Sequence, residues 1–564
     1  MSKSLTVANV SHSTVLFDEA ISKASQLDKH FTTTGELVGP LHGVPFSIKD
    51  HMLVKGTRAT VGFTAWMTEE PVSRISASIV RIYESLGAIP LCKTNIPQTM
   101  LSFESSNPLW GRTLNPHQHG HACGGSSGGE AALLASDGAA FGIGSDIGGS
   151  LRIPTGYCGV YSLKPTKGRI PTDGSAKFAE GFEGIPVVYG PMGRSVRDVE
   201  LLSSLAIDAI HPPPNADVQA ADLHSKFGVT SLPVQPLRKK EFDVLTLAKS
   251  RGRPLRLGYY THDGFSKPSP AVCRSMDEVV AALRAKHSEK ELELIPVDPK
   301  DLHTPESLKL FVGLTSSDGY SGILAPLKGK SWRKDWLQSH LYLIVFIARA
   351  PTWIKAIFQF LLRFVIRDQY LLAASEFAGS KSTAKYCDMV AARDHFTHDF
   401  NERIWKKYRL DGIICPLMPT PAIPNGSGIA LSPIAASTIL YNVMDHSVAM
   451  VPVTRVDPAR DSAVNPSKRI AHGSDGDGMV DEKALQKWQQ WKNDPVYNES
   501  SKMINFTLYG EKKYDAIKMK GLPVSVQAVA RSHEEEIAIG IAKLVDDALG
   551  PRGFAPGDFT KAHN

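Results

Sequence analysis

The sequence predicts an α/β fold, and three observations carry that prediction. Short apolar strand-like runs alternate with helical patterns from Gly39 onward, in a βαβ-like rhythm. Near-continuous apolar segments in the second half, Arg409 to Pro424 and the run VAMVPVT, have the character of strands buried on both faces. The chain then closes on an amphipathic stretch, Ser532 to Leu549, opened by a capping-box-like pattern. With 564 residues, 42% of them hydrophobic, there is material for a large core.

The first 35 residues read as a helical lead-in with polar and apolar residues mixed between Leu16 and Leu27; residues 36–564 read as one domain. Val44 to Ile48 forms a strand that ends in Lys49. Alternation puts Phe46 and Ile48 on one face and Ser47 and Lys49 on the other. A lysine there is ordinarily a solvated strand end. Ile75 to Gly87 is a helix, followed by the short strand in AIPLCKTNIP. Loop-rich residues 97–116 bring Met100, Leu101 and Phe103, which suit either a pocket lining or plain core.

Gly120 to Gly168 holds two glycine-flanked serine clusters, GGSSGG and DIGGS, separated by a small-residue helical run, Glu130 to Ala140, and a short apolar segment, Ala140 to Gly144. Glycine at this density lets the backbone approach a reacting centre closely. A phosphate cradle is excluded, since no glycine-lysine-Ser/Thr run is present and Gly142-Ile143-Gly144 lacks the third glycine of a dinucleotide fingerprint. A nucleophile elbow calls for a later acid and histidine in that order, and no histidine motif of that type follows. A serine hydrolase whose base is not histidine stays open, as does a non-catalytic protein that uses the glycine loops for binding alone.

GGSSGG, DIGGSLRIP with its serine 24 positions after the first, and CGVYSLKPTKG together resemble the amidase signature family of serine hydrolases. GVPFSIKD, TNIPQTM, LYNVMDHSVAMVPVT and GLPVSVQAVA are similar to further blocks of that family in the same order, over roughly Leu41 to Leu549. The resemblance implies a large twisted mixed β-sheet covered by helices on both faces. It implies a triad of Lys49 as base, Ser126 as relay and Ser150 as nucleophile. Gly125–Ser126 would be cis, and Ile147, Gly148, Gly149 and Ser150 would form the oxyanion hole. Ser127 and the pair Asp146 and Arg152 would support these turns, and Met100 would lie near the substrate. The activity implied is hydrolysis of a carboxylic amide through an acyl-serine, with no metal and no organic cofactor.

For a lysine to act as base it must be neutral near pH 7, which burial promotes. The substrate clue is Leu341 to Ile366, within an apolar hairpin cap at 337–368. Eight uncharged residues lead to Arg349 and Pro351, and a second helix starts near Thr352. Lys355, Gln359, Arg363 and Arg367 form its polar stripe, and the remainder is bulky and apolar. Such a hairpin is either buried against the core or a second copy of the chain, as in a homodimer, or seated on a lipid surface as a peripheral anchor. The hairpin and QTMLSFESSNP are more similar to fatty acid amide hydrolases than to generic bacterial amidases, so the expected substrate is a hydrophobic or fatty acyl amide. Short-chain acetamidase-type amidases share much of the pattern, and a glutamine-hydrolysing amidotransferase-type subunit is a further alternative within the family.

A net charge of +6 with 21% charged residues does not call for nucleic acid. The six cysteines, Cys92, Cys123, Cys158, Cys273, Cys387 and Cys415, are scattered without metal-ligand spacing, as free structural thiols of a reducing compartment are. No signal-peptide-like core precedes Leu16, and no run of about 18 apolar residues occurs. The expected location is therefore cytoplasmic, with peripheral membrane contact through residues 341–366, and not secreted. A polar insert, 457–493, reads as a solvated loop with a helix; its run HGSDGDGMVDEK lacks the ligand spacing of a calcium loop.

Overall fold

The computed structural model describes residues 12–176, 181–211, 235–328, 336–462, 490–491, 493–511 and 513–554. Most of the insert 457–493 lies outside them. The main-sheet strands are β1 (His12–Val15), β2 (Pro45–Lys49), β3 (Ile89–Thr94), β6 (Phe141–Asp146), β7 (Tyr161–Lys164), β8 (Val188–Gly193), β9 (Leu255–Tyr259), β10 (Leu292–Pro296), β11 (Gly412–Pro416), β12 (Ser447–Arg455) and β13 (Pro523–Ala530). They form one eleven-stranded sheet in the order β1-β3-β2-β6-β8-β7-β12-β13-β11-β9-β10, and β4 (Ser106–Asn107) and β5 (Gly111–Arg112) make a separate ribbon. The sheet is mixed. β2 runs parallel to β3 and β6, β9 is parallel to β10 and β11, and the strands from β6 to β11 in the sheet order pair antiparallel.

Helices cover both faces, so both side-chain sets of each central strand are buried. On one face Phe46 and Ile48 of β2, with Phe141 and Ile143 of β6, pack against Val80 and Tyr83 of the helix Ser78–Ser85 and against Leu202 and Ala206 of Val196–Asp208. The opposite face of β2 carries Ser47 and Lys49, and both are fully buried there. The solvated end that an isolated lysine would suggest is thus absent, because the layer above Lys49 is a helix and not water. In the second half, Pro270–Lys286 and Glu535–Leu549 cover one face of β12 and β13, and helices including Thr304–Thr315 and Ala436–Val443 cover the other.

Some sequence expectations shift. The lead-in contains a strand as well as its helix, Phe17–Thr34: β1 pairs antiparallel with β3, and Ser13 Oγ donates to Asp50 Oδ1 at 2.6 Å. An edge strand held by backbone pairing carries little hydrophobic periodicity to announce it. The helical run expected over Glu130 to Ala140 is Gly128–Ala135, ended by a turn with Asp137 at φ 59°, and the apolar segment after it is β6. The last helix starts at Glu535 and lacks a side-chain cap, since Ser532 Oγ donates to Met444 O instead.

The apolar hairpin is two helices, Ser339–Arg349 and Thr352–Phe360, the second running on as a wider turn over Leu361–Ile366. Among the described residues no single helix is long and apolar enough to cross a membrane; this pair passes such a test only together, and it bends by 115°.

Candidate active site

The strand end of β2 and two turns build the site. Lys49 is fully buried and its Nζ donates to Ser126 Oγ at 2.7 Å and to Ser145 Oγ at 2.8 Å, with Ser145 O at 3.4 Å. Burial drives its pKa down to about 7, against the opposing pull of the Asp146 and Glu130 carboxyls. A lysine in this position is half neutral near pH 7 and can take up a proton.

The first serine turn precedes the helix Gly128–Ala135, and its Gly125–Ser126 peptide bond is cis. Gly125 has no room for a side chain, as a Cβ there would meet Ser102 O at 2.6 Å. Ser127 ties this turn to the second: its N–H donates to Ser150 O at 3.2 Å, and its Oγ lies 3.4 Å from both the N and O of Ser145. Ser126 and Ser150 line the same cavity of about 830 Å³, together with Ser145 and His51.

The second turn, between β6 and the helix Arg152–Cys158, is fixed by one carboxylate. Asp146 accepts from the N–H groups of Gly149 at 2.8 Å and Leu151 at 3.1 Å, from Arg152 Nε at 3.0 Å and from Asn442 Nδ2 at 2.8 Å. Burial alone would push this carboxyl up, but the Arg152 guanidinium and its hydrogen bonds hold it well below the usual range. Arg152 is itself buried and spends its remaining donors on Thr438 O at 3.0 Å, Gln527 Oε1 at 2.9 Å and Asn442 Oδ1 at 2.5 Å. Gly149 sits at φ 120° with a hypothetical Cβ 2.4 Å from Thr438 Oγ1, so both its conformation and its surroundings demand glycine.

Because the Gly149 amide is given to Asp146, it does not face the cavity as the resemblance implied. Among the described residues the N–H groups of Ile147, Gly148 and Ser150 have no acceptor, and all three residues line an apolar cavity of about 240 Å³. Met100 and Leu101 border both cavities. Thr99 and Met100 hold their places through two successive left-handed conformations, φ 66° and 58°.

Sequence reasoning did not single out Ser145, Glu130, His51, Thr438, Asn442 or Gln527 as site residues. Ser145 immediately precedes DIGGS, and Asn442 and Gln527 lie in LYNVMDH and GLPVSVQAVA, so those remote blocks hold Arg152. His51 Nδ1 is buried with no partner among the described residues, and burial with the nearby Lys49 and Lys93 charges keeps the ring neutral. Among the described residues no group of His, Cys, Asp or Glu could hold a metal ion.

A buried lysine bonded to a serine, beside a second serine on a turn with unclaimed amides, brings together the groups that a serine hydrolase without histidine would need. The profile of the Amidase family matches residues 4–538. Fatty-acid amide hydrolase 1 of Sus scrofa is 30% identical over 91% of this chain and 76% of its own length, and an acetamidase of Aspergillus oryzae is 29% identical over 94% and 82%. Among solved structures, a fatty acid amide hydrolase superposes with a TM-score of 0.71 at 23% identity, covering 96% of this chain and 79% of the other. A 6-aminohexanoate cyclic dimer hydrolase superposes with 0.64 at 18% identity, covering 98% and 92%. The chain belongs to the Amidase family, and it is an amide hydrolase.

Proposed function

We propose that the chain hydrolyses amides of hydrophobic acyl groups, with Ser150 as nucleophile, Ser126 as relay and Lys49 as base. Neutral Lys49 takes the proton of Ser126 as Ser126 takes that of Ser150, and Ser150 Oγ attacks the carbonyl carbon. The oxyanion forms against the amides of Ile147, Gly148 and Ser150, donors of a kind worth about 3 kcal/mol each. Collapse of the tetrahedral intermediate returns the proton through Ser126 to the departing amine. Water then attacks the acyl-serine by the same relay, releasing the acid.

The observation that carries the acyl preference is the apolar cavity at Ser150, walled by Met100, Phe311, Leu343, Ile344 and Phe358. Each methylene buried there contributes up to about 0.8 kcal/mol. Primary amides of rising chain length are expected to show kcat/KM climbing steadily from acetamide. A flat or falling series would favour the short-chain acetamidase reading. Ser150→Ala is expected to abolish both turnover and labelling by a fluorophosphonate; retained turnover would overturn the assignment.

The hairpin supports a lipid surface as the source of such substrates. Trp353, Ile357, Phe360, Phe364 and Val365 are all more than half exposed, whereas Lys355 is turned inward, its Nζ donating to Ala348 O and Ala378 O. A helix that exposes this many bulky apolar side chains while its Lys355 turns inward and its Arg363 stays at the surface has the mixed apolar and basic face of an interfacial helix.

A further inference from the structure

Glu130 lies in the first turn of Gly128–Ala135, four residues after Ser126, and is fully buried. Ser47 Oγ donates to its Oε2 at 2.5 Å and Thr94 Oγ1 to its Oε1 at 2.6 Å. Ser47 is two residues before Lys49 on the same face of β2, and Thr94 is the residue that Lys49 opposes on β3. On the third strand, β6, a Cβ at Gly142 would come within 1.9 Å of Glu130 Oε2. One carboxyl is thereby lodged among the three strands that flank the lysine, and β6 gives up a side chain to admit it.

Nothing else answers its charge. Among the described residues no lysine or arginine donates a hydrogen bond to Glu130, and the cation coupled to it through space is Lys49. The other charges around Lys49 have partners of their own. Asp146, whose pull on Lys49 is larger than that of Glu130, is also paired with Arg152 at 3.0 Å and has Lys164 nearby, Lys93 is 3.7 Å from Asp50, and His51 is neutral. Cys92, the remaining titratable group near Glu130, is kept protonated by burial. A carboxamide could bridge two hydroxyls as well as a carboxyl can, so the feature that only glutamate brings to this place is charge.

We propose that Glu130 is a positioning residue whose carboxylate is a second counter-charge of the Lys49 ammonium beside Asp146, adjusting the pH at which Lys49 becomes available as a base. This rests on the reading of Lys49 as the base. Burial raises Glu130 to about 8 and lowers Lys49 to about 7, so the two titrate over one range as a coupled pair, and the carboxylate that forms within that range holds the ammonium against its own loss of a proton. Removing the negative charge makes the ammonium less stable, and Lys49 then loses its proton at lower pH.

The test is the profile of kcat/KM between about pH 5 and 10 on a non-ionising amide for the wild type, Glu130→Gln, Glu130→Asp, Thr94→Val and Lys49→Ala. Glu130→Gln is expected to move the acid limb down by about one pH unit, which raises the ratio of activity at low to high pH several-fold, up to about tenfold. Glu130→Asp should restore most of the wild-type midpoint. Thr94→Val, which removes one donor to the carboxylate and so favours its neutral form, should shift the limb the same way by less; it decides the matter alone if Glu130→Gln does not fold. A uniform loss of rate with the midpoint unchanged would overturn the proposal and leave Glu130 as scaffold. If Lys49→Ala keeps both the activity and the limb, the functional reading itself fails; if it is dead while the glutamine variant keeps the wild-type midpoint, only the role of Glu130 fails.

Discussion

At the scale of the residue, Lys49 shows how one environment converts a side chain. An exposed lysine is protonated throughout the physiological range, whereas this one is buried and lowered to about 7. With Lys49 as the proposed base, the ammonium form cannot accept a proton, so kcat/KM should rise as pH increases through about 7 and level off above it. At one unit below that midpoint about a tenth of the molecules hold the neutral base. Lys49→Arg keeps a cation of similar reach that cannot deprotonate, and should lower kcat/KM by ~10²-fold or more at every pH. A variant retaining the wild-type profile would show that the titrating base lies elsewhere. From sequence alone Lys49 was a strand end, and only the resemblance raised it above one. What the sequence could not show is the helix Gly128–Ala135 lying over that face, because a layer contributed about 80 residues later leaves no local pattern.

At the scale of the element, the turn from Asp146 to Arg152 depends on strands and helices far along the chain. Asp146 holds the amides of Gly149 and Leu151, while Arg152 reaches Thr438, Asn442 and Gln527. Both side chains are fully buried, so removing one charge leaves the other unanswered, at a cost of roughly 3–5 kcal/mol. Asp146→Ala should therefore lower thermal stability strongly and, in whatever folded fraction remains, release the Gly149 amide and reduce fluorophosphonate labelling of Ser150. Equal labelling by Asp146→Ala and the wild type would show that the turn holds its shape without the carboxylate. The Asp146–Arg152 pair was expected because the two residues flank the turn that carries the family resemblance. The partners at 438, 442 and 527 were present only as quoted blocks with no assigned task, since three-dimensional convergence on one guanidinium has no signature in sequence. The donation of the Gly149 amide to Asp146 was equally hidden, because glycine spacing does not say where an N–H points.

For the whole molecule, the α/β alternation was legible because central strands buried on both faces read as apolar runs, and the mixed sheet orders them around the site. The edge strand β1 was not, as its pairing is backbone work. The hairpin lies between these cases: its composition was evident, but its orientation decides its role. Lys355 is committed to the protein, capping carbonyls, whereas Arg363 stays at the surface at 2.9 Å from Glu376. The large apolar side chains that face outward on the second helix are Trp353, Ile357, Phe360, Leu361, Phe364 and Val365. The inward Phe358 borders the apolar cavity at Ser150, so one short helix separates an exposed apolar surface from the cavity. If that surface docks on lipid, replacing Phe360 and Phe364 together by lysine should remove the chain from phosphatidylcholine vesicles in a flotation assay. It should also lower activity on vesicle-borne long-chain amides about tenfold or more, since the exchange removes two exposed aromatic side chains whose transfer into lipid would contribute up to roughly 1.5–3 kcal/mol each. Turnover of a water-soluble short-chain amide should stay near that of the wild type, because neither residue borders Ser150. A wild-type protein that stays off vesicles yet sediments as a dimer, and becomes a monomer on the same double substitution, would instead assign this face to a second copy of the chain.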